Sequence, residues 1–575
     1  MSALIARVRR DPGGFAVLVA LALTAAIYAP AIGRGLVSYG DAALVGDNWI
    51  SAHPSWRSLG AIMLDLGDDT RHLLGGEYQP IRDLSILGDH AIWGTWYGGH
   101  HLTSIVLYLA AIAVWFAAIT RFGVDRRVAG VMTLLWALHP SHAEAVAWLA
   151  ARGSLLGSVF AGLAALGYAR FRTGGRSRWL AVAVIAAVAM VWSDAATAIV
   201  VGVLAGLELV VPAPRRSWRR SLGGLAAIAA ACGAALVPVI AAALPQDPAP
   251  AGWLEMAIGI HGFDLRLAAM APRNAVSYPI GTQGPSVLDL VLGAAGVLVI
   301  AGALRRSPAV VRAAAVLWLA CCVPVCGLVV ADRYLLVPTL GIALAGAYGL
   351  SKIRPARLQL VAIAAVALAA GARSIDAQDT WRSSVVLWER ALQSNPDDDT
   401  TWSMYASALV EAGRPRDAFG VVQTALQRHR TPQMLLRKAL IVLAHGRRPD
   451  AMRTMRDAAV AGEPLAMSNL ALMLLDAGAV AEALEWAARG SVAQPMYAPG
   501  FRTYGKVALA AKALPTALLA FERAYELEPH NLANRYNLGL VLVELDRRDD
   551  ARVHFHACVD DPRVGELARA ALSKL

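Results

Sequence analysis

The stretch "ALHPSHAEAVAWLAARGSLL", residues 137–156, decides how the chain is read. Alanine, leucine and valine dominate it, as they dominate the sequence on both sides, yet it carries His139, His142, Glu144 and Arg152. Ionisable groups are costly in apolar surroundings, so their presence there marks a working site or a buried cluster. Pro140 opens a helical turn, and His139 and His142, three apart, share one face of it. Glu144 falls about 140° from His139 around a helical wheel, so the three do not form a natural ligand set. His-x-x-His alone is weak evidence for a metal. The expected arrangement is a hydrogen-bonded cluster with no metal assigned, and dependence on a divalent metal stays open.

Outward from this stretch the composition is uneven. Of 575 residues, 57% are hydrophobic and 17% charged, against about a quarter charged in a soluble domain. Apolar runs extend from Phe15 to about Ala370, and charge returns at ordinary density from Thr380 onward. A polytopic membrane part, 1–375, and a soluble tail, 376–575, follow. The net charge of +11 resides largely in arginines clustered in short turns, which is the pattern of membrane orientation rather than of a nucleic-acid face. The five cysteines are scattered, with Cys321, Cys322 and Cys326 inside an apolar run, and imply no disulfide framework. The first run follows Arg7, Arg9 and Arg10 and is long enough to cross a bilayer, so it reads as an uncleaved helix rather than a signal peptide.

A spanning helix needs roughly 20 apolar residues. The runs 15–33, 101–120, 128–149, 154–170, 179–194, 196–212, 222–244, 287–304, 309–330, 335–351 and 357–372 give about eleven spans. The turns "RFGVDRR" (121–127), "RFRTGGRSR" (170–178), "PRRSWRR" (214–220), "RRSPAVVR" (305–312) and "SKIRPAR" (351–357) alternate with longer loops poorer in Arg and Lys, chiefly 34–100 and 245–286. Positive charge stays inside. The N-terminus is therefore expected in the cytoplasm, and an odd number of spans puts the tail on the periplasmic or luminal side.

In the tail, Pro396, Pro432, Pro464, Pro495, Pro529 and Pro562 recur at spacings of 36, 32, 31, 34 and 33. A period near 34 is that of tetratricopeptide (TPR) repeats. Gly505, Ala517, Phe521, Ala524 and Pro529 fall at the expected offsets, as do Leu538, Gly539, Ala551, Phe555 and Pro562; Ala408 and Ala471 stand where Gly is usual. About five repeats stack into an α-solenoid whose concave groove suits a protein or peptide partner. The fold class is all-α throughout.

Several stretches carry a family resemblance. Residues 137–156 resemble the HPxHxEAVAW-xxGRxDLL segment of the transmembrane-and-TPR family of protein O-mannosyltransferases. "VSYGDAALVGDN" (37–48) resembles that family's acidic motif in the first outer loop, and "YQPIRDLSILGDHAIWGTWYGGHHLTSIVLYLA" its Y-R-P-L…S…W-G…H-L segment. "ADRYLLVPTLG" resembles D-R-Y-x-Y-x-P-S-x-G, and "TWRSSVVLWERALQSNP" the junction into the first repeat. The resemblance covers nearly the whole chain. It implies a glycosyltransferase-C (GT-C) membrane fold that moves a sugar, mannose in the family, from a polyprenyl or dolichyl phosphate to an acceptor hydroxyl outside the membrane. The lipid-linked sugar is a substrate, and no further cofactor is implied.

Such chemistry needs a carboxylate to take the acceptor's proton and cations to hold the departing phosphate. On the resemblance, Asp41 is the candidate base, while Arg333 and Arg152, at the outer ends of their spans, are candidates for bidentate phosphate contact. His139, His142, Glu144, Asp47 and Asp194 are expected in support; Asp47, ahead of Asn48 and a helical run, also suits a helix cap. The chain departs from the family at marked positions. Gly40 stands for the first of two adjacent acids, Gln79 for the Arg of Y-R-P, Ser154 for the aspartate of GRxD, and Ser193-Asp194-Ala195 for S-K-E. These departures define the alternative reading, a membrane scaffold that keeps the architecture without the reaction and uses its repeats for protein interaction.

Overall fold

The computed structural model describes residues 11–46, 48–211, 218–242, 253–270, 285–319, 331–428, 430–528, 531–561 and 564–575. Arg7, Arg9, Arg10, Asp47, Cys321, Cys322, Cys326, Pro529 and Pro562 lie outside them. All regular structure among the described residues is helical. The chain divides into two compact units, Met1–Pro396 and Asp397–Leu575. The boundary falls at Pro396 rather than 375 because the helix Ser384–Ser394 belongs to the first unit. The Ser38 amide donates to Ser384 Oγ at 2.9 Å, and Trp388 Nε1 donates to Ser38 Oγ at 3.1 Å.

Six helices of the first unit are long and apolar enough to cross a membrane: Pro12–Gly33, Tyr97–Arg121, Leu149–Arg172, Trp218–Ala241, Val287–Arg306 and Ala356–Arg382. Among the described residues, helices of that length and composition number six, against the expected count of about eleven spans. The runs 179–194, 196–212 and 335–351 correspond to the shorter apolar helices Arg178–Ser193, Ala195–Val210 and Thr339–Leu350; the run 309–330 begins with the helix Ala309–Trp318, and its residues 320–330 lie outside the described residues. The run 128–149 breaks after the helix Arg126–Ala137. The outer loop 34–100 is itself folded, with helices Trp49–Ala52, Trp56–Leu64, Asp68–Leu73 and Pro80–Trp93. The loop 245–286 contains the helix Trp253–Met270, packed on Val287–Arg306.

Small residues bring the helices together, as expected where apolar side chains gain little from leaving lipid. A Cβ on Gly130 would lie 2.5 Å from the Gly13 carbonyl oxygen, so the helices Pro12–Tyr28 and Arg126–Ala137 cross at backbone contact. At that end Arg126 also pairs with Asp11 at 2.8 Å. Nearby, Arg172 and Tyr168 both donate to Glu208 Oε2, at 2.6 and 2.9 Å, pinning Arg152–Arg172 to Val200–Val210. The helices Pro12–Tyr28, Tyr97–Arg121 and Arg152–Arg172 each run between this arginine-rich end and an opposite end, where the irregular loops meet.

The second unit is a TPR array of five helix pairs. Asp399–Glu411 pairs with Pro415–Arg428, Pro432–Ala444 with Arg448–Val460, and Pro464–Asp476 with Val480–Ala493. Ala498–Ala510 then pairs with Leu514–Leu527 and Leu532–Glu544 with Arg548–His556, and Gly565–Leu572 follows. The Phe521 ring lies 2.8 Å from where a Gly505 Cβ would stand, and the Phe555 ring 2.6 Å from that of Gly539. In each pair one left-handed residue closes the turn: Gly413, Gly446, Gly478, Lys512 and Asp546, all with φ between 57° and 79°. Only the first three are the residue type that this conformation favours. Gly478→Val is expected to cost about 1–2 kcal/mol, whereas Lys512→Gly should be neutral or stabilising; thermal midpoints of the full-length protein followed by circular dichroism check both.

Candidate active site at the broken helix

The opening stretch is where the helices break. Pro140 has no amide hydrogen, and it restricts the residue before it to extended conformations. His139 accordingly sits at φ −73°, ψ 126°. The chain passes through the short turns Pro140–His142, Ala143–Ala147 and Leu149–Ala151 before Arg152–Arg172 begins, and residues 140–149 are all buried. Irregular backbone at membrane depth persists only where protein satisfies its polar groups or where it lines a cavity. Both conditions hold.

The two histidines meet the first condition. His142 Nδ1 lies 2.6 Å from the Tyr108 hydroxyl and its Nε2 2.9 Å from Thr339 Oγ1. His139 Nδ1 lies 2.8 Å from Ser141 Oγ and its Nε2 3.1 Å from the Ala268 carbonyl. All four ring nitrogens thus have neighbours that hold the break together. Among the described residues no three His, Cys, Asp or Glu side chains cluster in a way that would hold a metal.

Asp41 joins the first loop to the break. Its Oδ1 accepts from the Ala150 amide at 2.9 Å and its Oδ2 from the Val37 amide at 3.2 Å. Burial raises its pKa to about 7, against the opposing pull of those two amides and of Arg152. Tyr39, next in the loop, packs on Trp148 with ring centroids 4.7 Å apart, and Trp148 stacks on Trp381 at 5.4 Å.

Beside this brace lies a cavity of about 250 Å³. Its polar wall is formed by His72, Glu77, Gln79, Arg82, Ser154, Asp194 and Arg333, and Gly40, Trp148 and Tyr334 also line it. Arg333 is fixed on three sides. It pairs with Glu144, and its guanidinium carbon stands 5.3 Å from the Trp148 ring centre and 4.7 Å from that of Tyr334. Burial opposes its charge, but the Glu144 carboxylate outweighs that and its pKa is raised. Asp194 accepts from Ser154 Oγ at 2.8 Å and from the Ala196 amide at 3.1 Å. Arg82 donates to Asp83 at 2.8 Å and to the Leu74 carbonyl at 2.6 Å.

The expected site residues therefore separate. Arg333 and Asp194 line the cavity, and Glu144 holds Arg333 from behind. Asp41 stands outside the lining, with both carboxylate oxygens taken by backbone amides. Arg152 is fully buried and absent from the wall; it pairs with Asp89 and donates to the His100 carbonyl at 2.7 Å. Asp47 is not among the described residues. Glu77, Arg82 and His72 are wall residues that the sequence reading did not single out. One signal for Glu77 was available, since it stands two residues before Gln79, a position already marked as a departure. Gly40, Gln79, Ser154 and Asp194, drawn from all four marked motifs, face the same space.

No family model matches this chain, and no curated protein matches it. Among solved structures it is similar to YrrB, a TPR protein with an unusual peptide-binding site, at 18% identity and a TM-score of 0.28, over 33% of this chain and 98% of that one. It is also similar to residues 41 to the end of MamA from Desulfovibrio magneticus RS-1, at 19% identity and a TM-score of 0.25, over 30% of this chain and 97% of that one. A third is the Pseudomonas aeruginosa pilF product, at 16% identity and a TM-score of 0.25, over 27% and 73%.

Two outcomes are expected. Arg152→Ala removes the guanidinium from the buried Asp89 carboxylate, leaving it only Thr103 Oγ1 and the nearby His100, and should destabilise the protein by about 3–5 kcal/mol, read as a loss of folded protein in detergent. Asp41 keeps its proton to a higher pH in the folded chain than in the unfolded one. The unfolded state then binds fewer protons between about pH 4 and 7, and stability falls as pH rises through that window, by up to about 4 kcal/mol. The thermal midpoint should drop from pH 5 to 8, and Asp41→Asn should flatten that drop.

Proposed function

We propose that the first unit is a membrane glycosyltransferase that moves a sugar from a polyprenyl- or dolichyl-phosphate donor to an acceptor hydroxyl on the periplasmic or luminal side. The observation that carries this reading is the cavity itself, which sets a guanidinium, Arg333, and carboxylates, Glu77 and Asp194, around one space at an end of an apolar helix bundle. Transfer from a lipid phosphate needs that combination, because negative charge builds on the phosphate as the acceptor loses its proton. The volume is near the lower limit of small-molecule sites, about 300 Å³, and suits one sugar with its phosphate. Mannose is the sugar of the family that the sequence resembles.

In this reading the four shorter apolar helices and the broken segment complete eleven crossings. The arginine-rich turns stay in the cytoplasm, and the repeats lie on the periplasmic or luminal side, where their groove takes a protein or peptide acceptor. Arg333→Lys, which keeps a cation beside Glu144 but loses the guanidinium fork, should weaken binding of mannosyl polyprenyl phosphate to the reconstituted full-length protein by tenfold or more, with the folded fraction unchanged; unaltered binding would sink the reading. Alkaline phosphatase fused after Leu575 should be active in a bacterial inner membrane, and an inactive fusion would reverse the orientation.

A second reading, a non-catalytic scaffold, is favoured by the lack of an acid at Gly40 and by the engagement of Asp41 and Arg152 in packing. A folded protein that binds no lipid-linked sugar supports it.

A further inference from the structure

With Gly40 bare and Asp41 tied to two amides, the proposed reaction lacks an evident proton acceptor. The cavity wall has two carboxylates. Asp194 has both oxygens engaged, by Ser154 and by the Ala196 amide. Glu77 is different. Its side chain is exposed within the cavity, and Gln79 donates to its Oε2. The backbone around it is set firmly. Gly75 and Gly76, at φ 84° and 81°, turn the chain just before it. Just after it, Tyr78 is buried, donates to the Met63 carbonyl at 3.0 Å and meets Trp192 edge-on at 6.3 Å. Pro80 then starts the helix Pro80–Trp93. A carboxylate held between a two-glycine turn and an anchored tyrosine, opposite a fixed guanidinium, is a positioned group rather than a loose surface acid.

We propose that Glu77 is the proton acceptor of the transfer reaction, doing from the second half of the outer loop what an acid at position 40 would do from the first. The inference rests on the transferase reading above. The acceptor hydroxyl gives its proton to the Glu77 carboxylate as its oxygen bonds to the anomeric carbon. The bond between that carbon and the phosphate oxygen breaks, and its electron pair leaves with the polyprenyl phosphate, whose added negative charge faces Arg333. The proton then passes from Glu77 to solvent. Glu77 is open to the cavity, yet the protein around it withholds enough water to raise its pKa above the ordinary carboxylate range, against the pull of Arg82 and Arg333 and with the help of Asp194 and Asp83. A base is most effective when its pKa lies near the working pH. His72 also faces the cavity.

The test uses the full-length protein in nanodiscs with mannosyl polyprenyl phosphate, following release of polyprenyl phosphate with water or a serine-containing peptide as acceptor. Glu77→Gln should lower turnover by about 100-fold or more while donor affinity stays within about twofold and the thermal midpoint is retained. It should also remove the acid limb of the pH–rate profile, which His72→Gln leaves in place. Glu77→Asp should recover part of the rate. Turnover in Glu77→Gln equal to that of the unmutated protein overturns the inference and leaves the transferase reading standing. An unmutated protein that neither binds nor consumes the donor overturns both.

Discussion

The structure depends on what becomes of the backbone where a helix stops inside an apolar bundle. At residues 138–151 the regular ladder is interrupted, and freed amides and carbonyls need partners that lipid cannot supply. The Asp41 carboxylate takes the Ala150 amide, Ser374 donates to the Leu138 carbonyl at 2.8 Å, and Tyr108 donates to that of Ala137 at 3.0 Å. Each comes from a different part of the first unit, so the break gathers the first loop, the second long helix and the last one around itself. The cavity is the space left on the far side of that knot.

Charge in the first unit is handled in the same way, by enclosure in pairs. Arg152 with Asp89, Arg172 with Glu208 and Arg333 with Glu144 are three ion pairs drawn from separate helices or turns. Two of them are sealed. The third faces the cavity, and its arginine shares that wall with Arg82. Burial without an outlet makes a brace, and burial with one face open makes a binding group.

What the sequence conveyed follows the same division. The repeat was legible because its period is set by packing. Phe521 needs Gly505 beneath it, and Phe555 needs Gly539, so residue type and spacing record the contact. The membrane class was legible from hydropathy, but the spans were not. A hydropathy run counts apolar residues and is blind to Pro140, which divides one run into a helix and a buried irregular segment. Arg333 sits in a dense motif and lines the cavity. Arg152 was assigned the same role on similar grounds, and only its partner Asp89, 63 positions earlier, reveals the difference. Glu77 belongs to a loop with no periodicity, where nothing in the local sequence says which way a side chain faces.

Four of the altered motif positions, 40, 79, 154 and 194, line the same cavity. Relative to the resembled pattern, three acids and two cations are missing from these motifs, at positions 40, 154, 195, 79 and 194, and one new acid has appeared at 194. The formal sum is unchanged. Two of the altered residues, Ser154 and Asp194, are now hydrogen-bonded to one another. Ser154 and Asp194, both buried, therefore behave as one unit of the wall, since a change at either would leave the other's polar group without its partner.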